Sequence, residues 1–266
     1  MVEWFLSVPG WIWIAVAFVY GAIAGSFLNV CIYRIPRGEE IVRTPSHCPA
    51  CGERIPWYLN IPIISWPILR GRAACCGARF SVQYPLVELA CAALTAYLFV
   101  GLGLSFEFLS AWLFACFLLV LLAIDWQTLR LPDVLTLPGA ALGLLFALAG
   151  VRVEIVDALI GVAVGAGGFL AIALLYQASR GHEGMGMGDV KLMAMVGAFL
   201  GWQGTLLVVL LGSLLGLALG VIIIAHSPRG AGAKTKLPFG TFLAIAALVA
   251  LLWGDWIIAW YAGLFV

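Results

Sequence analysis

The sequence predicts an all-α polytopic membrane protein of about eight transmembrane helices, with a small cytoplasmic domain between helices 1 and 2. Three observations lead there: a composition too apolar for water, apolar runs of spanning length, and a one-sided distribution of basic residues. Of 266 residues, 64% are hydrophobic and 10% charged, against about half and a quarter in soluble domains. Apolar runs of about 17–25 residues can cross a bilayer. Eight are read, at roughly 11–33, 85–101, 108–124, 134–150, 156–178, 190–200, 204–225 and 238–256. With the N-terminus outside, Arg152 is the one exception among fourteen Lys and Arg residues to a cytoplasmic placement, the asymmetry expected of membrane proteins. A missed or invented span would scramble it.

The first span follows Glu3 with no basic residue before it, which suits an uncleaved anchor better than a signal peptide with its basic start. Residues 34–84 form the one sizeable polar segment and hold seven of the fourteen basic residues. Pro36, Pro45, Pro49, Pro56, Pro62 and Pro67 argue there for turns and short extended pieces over long helices. A domain of about fifty residues buries little core, so a metal clip or docking would help it fold. The chain therefore divides into a first helix at 1–33, the cysteine-containing domain at 34–84 and a seven-helix membrane domain at 85–266. The third span ends on Asp125, and the fourth starts at Pro132-Asp133, where Asp133 reads as a helix cap. Gly161, Gly165 and Gly168 in the fifth suit close helix packing. The sixth is short for a span, unless its helix begins inside the glycine loop before it or tilts.

Carboxylates at membrane depth are costly and mark a cavity, a partner or the aqueous boundary. Asp125 ends one span and Asp189 begins another, so on this topology they share a depth at the cytoplasmic face. Two close carboxylates share one proton, giving a base for water and an acid for a carbonyl. This is the aspartyl protease arrangement. Asp189 closes the run Gly184-Met185-Gly186-Met187-Gly188, whose glycines allow another chain to approach closely. Gly186, Gly188 and Lys191 are accordingly candidate substrate contacts. His47, His182 and His226 lie in three separate loops, and no serine has nucleophile-elbow context. The basic face suits anionic lipid headgroups, and no feature calls for nucleic acid.

Ordered motifs along nearly the whole chain carry a resemblance. They are Gly25-Ser26-Phe27-Leu28-Asn29-Val30 with Tyr33-Arg34, Cys48-Pro49-Ala50-Cys51, Asn60-Ile61-Pro62 leading to Ser65-Trp66, and Tyr84-Pro85-Leu86-Val87-Glu88. Asp125 with Leu131-Pro132-Asp133, the Gly-Met-Gly-Asp-Val-Lys loop ending at Lys191, and Pro238-Phe239-Gly240 complete the set. The chain resembles the type IV prepilin leader peptidases and N-methyltransferases, membrane aspartyl proteases of the GxGD kind. The resemblance implies eight helices in the bacterial inner membrane with both termini periplasmic, and a catalytic pair at Asp125 and Asp189. It implies a prepilin or pseudopilin precursor as substrate, cut after a glycine behind a short basic leader. It also implies methylation of the new N-terminus with S-adenosyl-L-methionine as cofactor; no glycine-rich dinucleotide motif marks a pocket for it. Presenilin and signal peptide peptidase share the G-x-G-D loop, but the other motifs point away from them.

Of seven cysteines, Cys31, Cys91 and Cys116 lie in apolar spans as small packing residues. Cys48, Cys51, Cys75 and Cys76 share the polar domain, where a reducing compartment favours metal over a disulfide. Cys48-x-x-Cys51 is half of a tetrahedral Zn²⁺ site. The family's third cysteine aligns with Ala73, and this chain offers Cys75 beside Cys76 instead. The expected ligands are Cys48, Cys51 and Cys76, with Cys75 or His47 fourth; the alternative is a metal-free loop with free thiols.

Two other readings compete with a peptidase. An ion-coupled transporter would also use membrane carboxylates and glycine-broken helices, but with acids near the midplane and related halves. A secretion-assembly scaffold would use Asp125 and Asp189 only as helix caps.

Overall fold

The computed structural model describes residues 9–181, 186–226 and 237–264. Glu3, His182, Gly184, Met185, Arg229, Lys234 and Lys236 lie outside them. The described residues form helices and short turns without strands. The chain divides into two compact units, Met1–Trp112 and Leu113–Val266.

In the first unit, α1 (Gly10–Arg34) packs on α2 (Gln83–Leu102). Small residues set the approach: a Cβ at Gly25 would lie 2.7 Å from Glu88 Cα. The polar stretch between them has only short helical turns, at Ile35–Arg37, Trp57–Leu59 and Ser65–Ile68, as its prolines foretell. Buried side chains hold it. The Arg34 guanidinium donates to the carbonyls of Glu40, Ile41, Thr44 and Pro45 at 2.8–3.3 Å. Glu88 Oε2 accepts the Ile63 N–H at 2.7 Å, and Asn29 donates to the Tyr84 carbonyl at 3.0 Å. A buried charge is tolerated only when so engaged.

In the second unit α3 (Phe106–Thr128, entering from the first) leads to α4 (Asp133–Leu148) and α5 (Ile155–Val162). A π turn at Ala163–Gly167 joins α5 to α6 (Gly168–Arg180); α7 (Met187–His226) and α8 (Phe239–Ala262) follow. Among the described residues, six helical stretches are long and apolar enough to cross a membrane, and α4 is a shorter apolar helix. The sixth and seventh expected spans are both within α7. Their break is the single residue Gly201, at φ 67° and ψ −174°, a combination essentially restricted to glycine. The sixth span gains the length it lacked because α7 starts at Met187.

Helix α7 packs on α4, α5 and α8. Gly197 of α7 meets the backbone of α5 at Gly161, where any side chain would collide. Phe114 stacks on Phe199 with centroids 4.5 Å apart, beside the fully buried Leu118, Leu121, Leu192 and Met193. This packing fixes how the ends of α3, α7 and α8 meet.

Candidate active site

The last turns of α3 turn Leu121 and Ile124 into the core and bring Asp125, only 4% exposed, to its edge. The helix closes with Leu129, whose N–H donates to the Asp125 carbonyl at 2.8 Å from a left-handed backbone. Leu131, next in line, wedges between two helix starts. A Cβ at Gly188 would lie 2.9 Å from Leu131 Cβ, and one at Gly240 would lie 2.8 Å from Leu131 Cδ1. The starts of α7 and α8 therefore converge on the end of α3.

One oxygen of Asp125, Oδ2, accepts two hydrogen bonds from Thr241, from its N–H at 2.7 Å and its hydroxyl at 3.0 Å. Asp189, in the first turn of α7, is half-buried and close enough to Asp125 for their charges to interact. Its N–H donates to the Gly186 carbonyl at 3.1 Å. Among the described residues no group donates to the Asp189 carboxylate. Gly186 is exposed, and a Cβ there would lie 3.8 Å from Asp189 Oδ2. The arrangement puts a carboxylate held by two donors within reach of the charge of a second that has none among the described residues, with Gly186 and Gly188 beside the second.

Lys191 stands elsewhere: its Nζ donates to both carboxylate oxygens of Asp133 at 2.7 Å. The cap reading of Asp133 is thereby corrected. Pro132 takes the cap position without a side-chain cap bond, leaving the Asp133 carboxylate in the first turn, where an anion suits the helix dipole and can meet Lys191.

The four cysteines of the first unit come together, with every sulfur within 4.8 Å of the others. Cys48 and Cys76 sulfurs are 3.7 Å apart, and those of Cys51 and Cys75 3.3 Å. Two matching turns present them. In one the Cys48 N–H donates to Glu53 O and the Gly52 N–H to Cys48 O. In the other the Ala73 N–H donates to Ala78 O and the Gly77 N–H to Ala73 O, all at 2.8 Å. Ala73 thus occupies the position equivalent to Cys48, and Cys75, within the turn, reaches the cluster from another angle. His47 is not a member; its Nδ1 faces the Pro45 carbonyl at 3.3 Å. Burial would push the Cys48 thiol up, but hydrogen bonds from the Ala50 and Cys51 backbone and from neighbouring thiols bring it down to about 7. The Cys75 thiol, hydrogen-bonded first of all to Cys51, is pushed up to about 12. Such a cluster can hold a metal ion.

Beside it lies a cavity of about 170 Å³, lined by Asn29, Tyr33, Trp66, Tyr84 and Glu88 among others.

Residues 19–102 match the Bacterial Peptidase A24 N-terminal domain and residues 112–221 the Type IV leader peptidase family. A "Prepilin leader peptidase/N-methyltransferase" of Stutzerimonas stutzeri is 40% identical over 268 residues, covering 92% of each chain. The chain belongs to the type IV leader peptidase family. Proteins of the same name from Pseudomonas putida (39% over 277 residues, 96% of each chain) and Aeromonas hydrophila (40% over 278, 94% of each) are similarly close. No solved structure matches the chain. The join between the two matched family regions falls at the division between the two compact units.

Sequence reasoning brought Asp125, Asp189 and the four cysteines to notice but missed Thr241, Leu131 as a wedge, and the buried anchors Arg34 and Glu88. Thr241 directly follows Pro238-Phe239-Gly240, so the motif marked its neighbourhood; nothing in its residue type marked its partner 116 positions away.

Proposed function

We propose that this family member is a membrane aspartyl endopeptidase that removes the short basic leader of type IV prepilins or type II secretion pseudopilins after a glycine. Cleavage takes place on the cytoplasmic side of the bacterial inner membrane, and the enzyme also N-methylates the new N-terminal residue. The observation that carries the reading is the meeting of Asp125 and Asp189 at the ends of α3 and α7, in a chain whose relatives are named for this activity. A carboxylate pair with one shared proton can activate water and polarise the scissile carbonyl in one step. Gly186 is exposed and puts no side chain beside Asp189, as an extended substrate backbone requires, while Gly188 makes room for Leu131. Lys191, engaged with Asp133, acts on substrate indirectly, by holding the start of α7.

The four cysteines suit Zn²⁺. A tetrahedron with zinc–sulfur bonds of about 2.3 Å has sulfurs about 3.8 Å apart, near the separations found here. Cys48, Cys51, Cys75 and Cys76 would hold it, and the ion would staple a domain that buries little core. S-adenosyl-L-methionine supplies the methyl group in such chemistry. The cavity of about 170 Å³ falls short of the roughly 300–1,000 Å³ usual for ligands of that size, and Asn29 and Glu88 on its wall are bound to backbone groups. These residues do not fit the donor as they stand, and methylation rests on the names of the relatives.

Coexpression with a full-length prepilin, read by mass spectrometry, tests the reading, since leader loss and one added methyl report the two activities separately. Asp125→Asn and Asp189→Asn should each lower cleavage about a thousandfold or more while the protein still inserts, because members of one catalytic unit fail together. Normal processing by either variant would overturn it.

A further inference from the structure

Resting on that reading, we propose that Thr241 divides the labour between the two aspartates. It keeps the negative charge on Asp125, which takes a proton from the attacking water, and leaves the shared proton on Asp189, which faces the scissile carbonyl oxygen. Three observations carry it. First, the donors are unequal: the Thr241 N–H and hydroxyl both converge on Asp125 Oδ2, and no described residue donates to the Asp189 carboxylate. Hydrogen bonds to a carboxylate favour its charged form, and neighbouring carboxylates resist carrying two charges.

Second, the donor is in the first turn of α8, a helix of 24 residues preceded by Pro238. The N–H groups of a first turn lack partners within the helix, and that end of a helix is electropositive. The Thr241 N–H has only a longer contact of 3.2 Å to Pro238 O besides Asp125. Its hydroxyl is 3.4 Å from Leu122 O, against 3.0 Å from the carboxylate. Third, Thr241 is 2% exposed, so water does not compete for either bond. Both bonds use Oδ2, and Oδ1 remains for the attacking water.

Hydrolysis then balances. The water oxygen bonds to the carbonyl carbon as one of its protons passes to Asp125, and the Asp189 proton moves to the carbonyl oxygen. In the collapse, one hydroxyl of the diol returns its proton to Asp189 and Asp125 protonates the departing nitrogen as the C–N bond breaks. Both carboxyls end as they began. Thr241 is a positioning residue throughout and touches no substrate atom.

The test is steady-state cleavage of a purified prepilin by the full chain in detergent. Thr241→Val, which keeps the N–H and the shape but loses the hydroxyl, should lower kcat about 10- to 100-fold, the loss of one hydrogen bond to a charged group. KM should stay within about twofold, and Thr241→Ser should recover the wild-type rate to within about threefold. If the valine variant does not insert, Thr241→Ala carries the same expectation. A hydroxyl-free variant with wild-type kcat, a serine variant as slow as valine, or a loss confined to KM would overturn the role of Thr241 and leave the peptidase reading standing. A wild-type chain that cleaves no prepilin would overturn both.

Discussion

The Asp125 carboxylate has little space around it. A Cβ at Gly240 would lie 3.0 Å from its Oδ2 and 3.1 Å from its Cγ, so any larger residue must displace either the carboxylate or Leu131. Gly240→Ala is expected to leave the helices intact and to lower kcat about tenfold or more, since moving a reacting group by a fraction of an ångström is costly. Circular dichroism together with prepilin cleavage checks it. Residue identity does not separate the two aspartates; their surroundings do. They are the same amino acid, but Asp125 is buried at the end of α3 with two donors on one oxygen, and Asp189 is half-buried at the start of α7 with none among the described residues.

At the scale of elements, α7 organises the second unit. It carries Asp189 in its first turn, meets α5 through Gly161 and Gly197, and turns at Gly201. The Lys191–Asp133 pair ties its start to that of α4. An exposed pair of this kind stabilises by about 1 kcal/mol or less, so its use lies in orientation. Lys191→Met and Asp133→Asn should therefore lower cleavage by similar factors, and the double variant by no more than either alone. If Lys191 instead held substrate directly, Lys191→Met would raise KM and Asp133→Asn would not; a double-mutant cycle on kcat and KM separates the two.

At the scale of the whole molecule, the chain joins two helical units, the first carrying the four-cysteine cluster, and each matches its own family region. Metal analysis of the purified protein should find about one zinc per chain, lost on Cys75→Ser and retained on His47→Ala, as expected of a four-thiolate site. Its pH dependence follows from Cys48. A thiol brought down to about 7 favours the charged form in the folded state, so its contribution is full above the ordinary thiol range and is lost as pH falls through about 7. Protons compete with metal for the same thiolate, and zinc retention should weaken across that window, as a chelator titration at several pH values would show.

The sequence by itself determined the helical character of the chain and the order of its apolar runs. Apolar runs of spanning length are local properties of a chain that must satisfy its backbone inside a bilayer. It also marked Asp125, Asp189 and the first cysteine pair, because charges and thiols are conspicuous in so apolar a chain. Only the tertiary structure decided that Cys75 and not His47 completes the cysteine cluster, that Lys191 belongs to Asp133, and that Thr241 serves Asp125. Each of those choices joins residues far apart in the chain, 58 positions for Lys191 and Asp133 and 116 for Thr241 and Asp125. Hydrophobic periodicity constrains which residues form a helix, but it leaves open which helix ends will meet, and the packing of α3, α7 and α8 around Leu131 settles that.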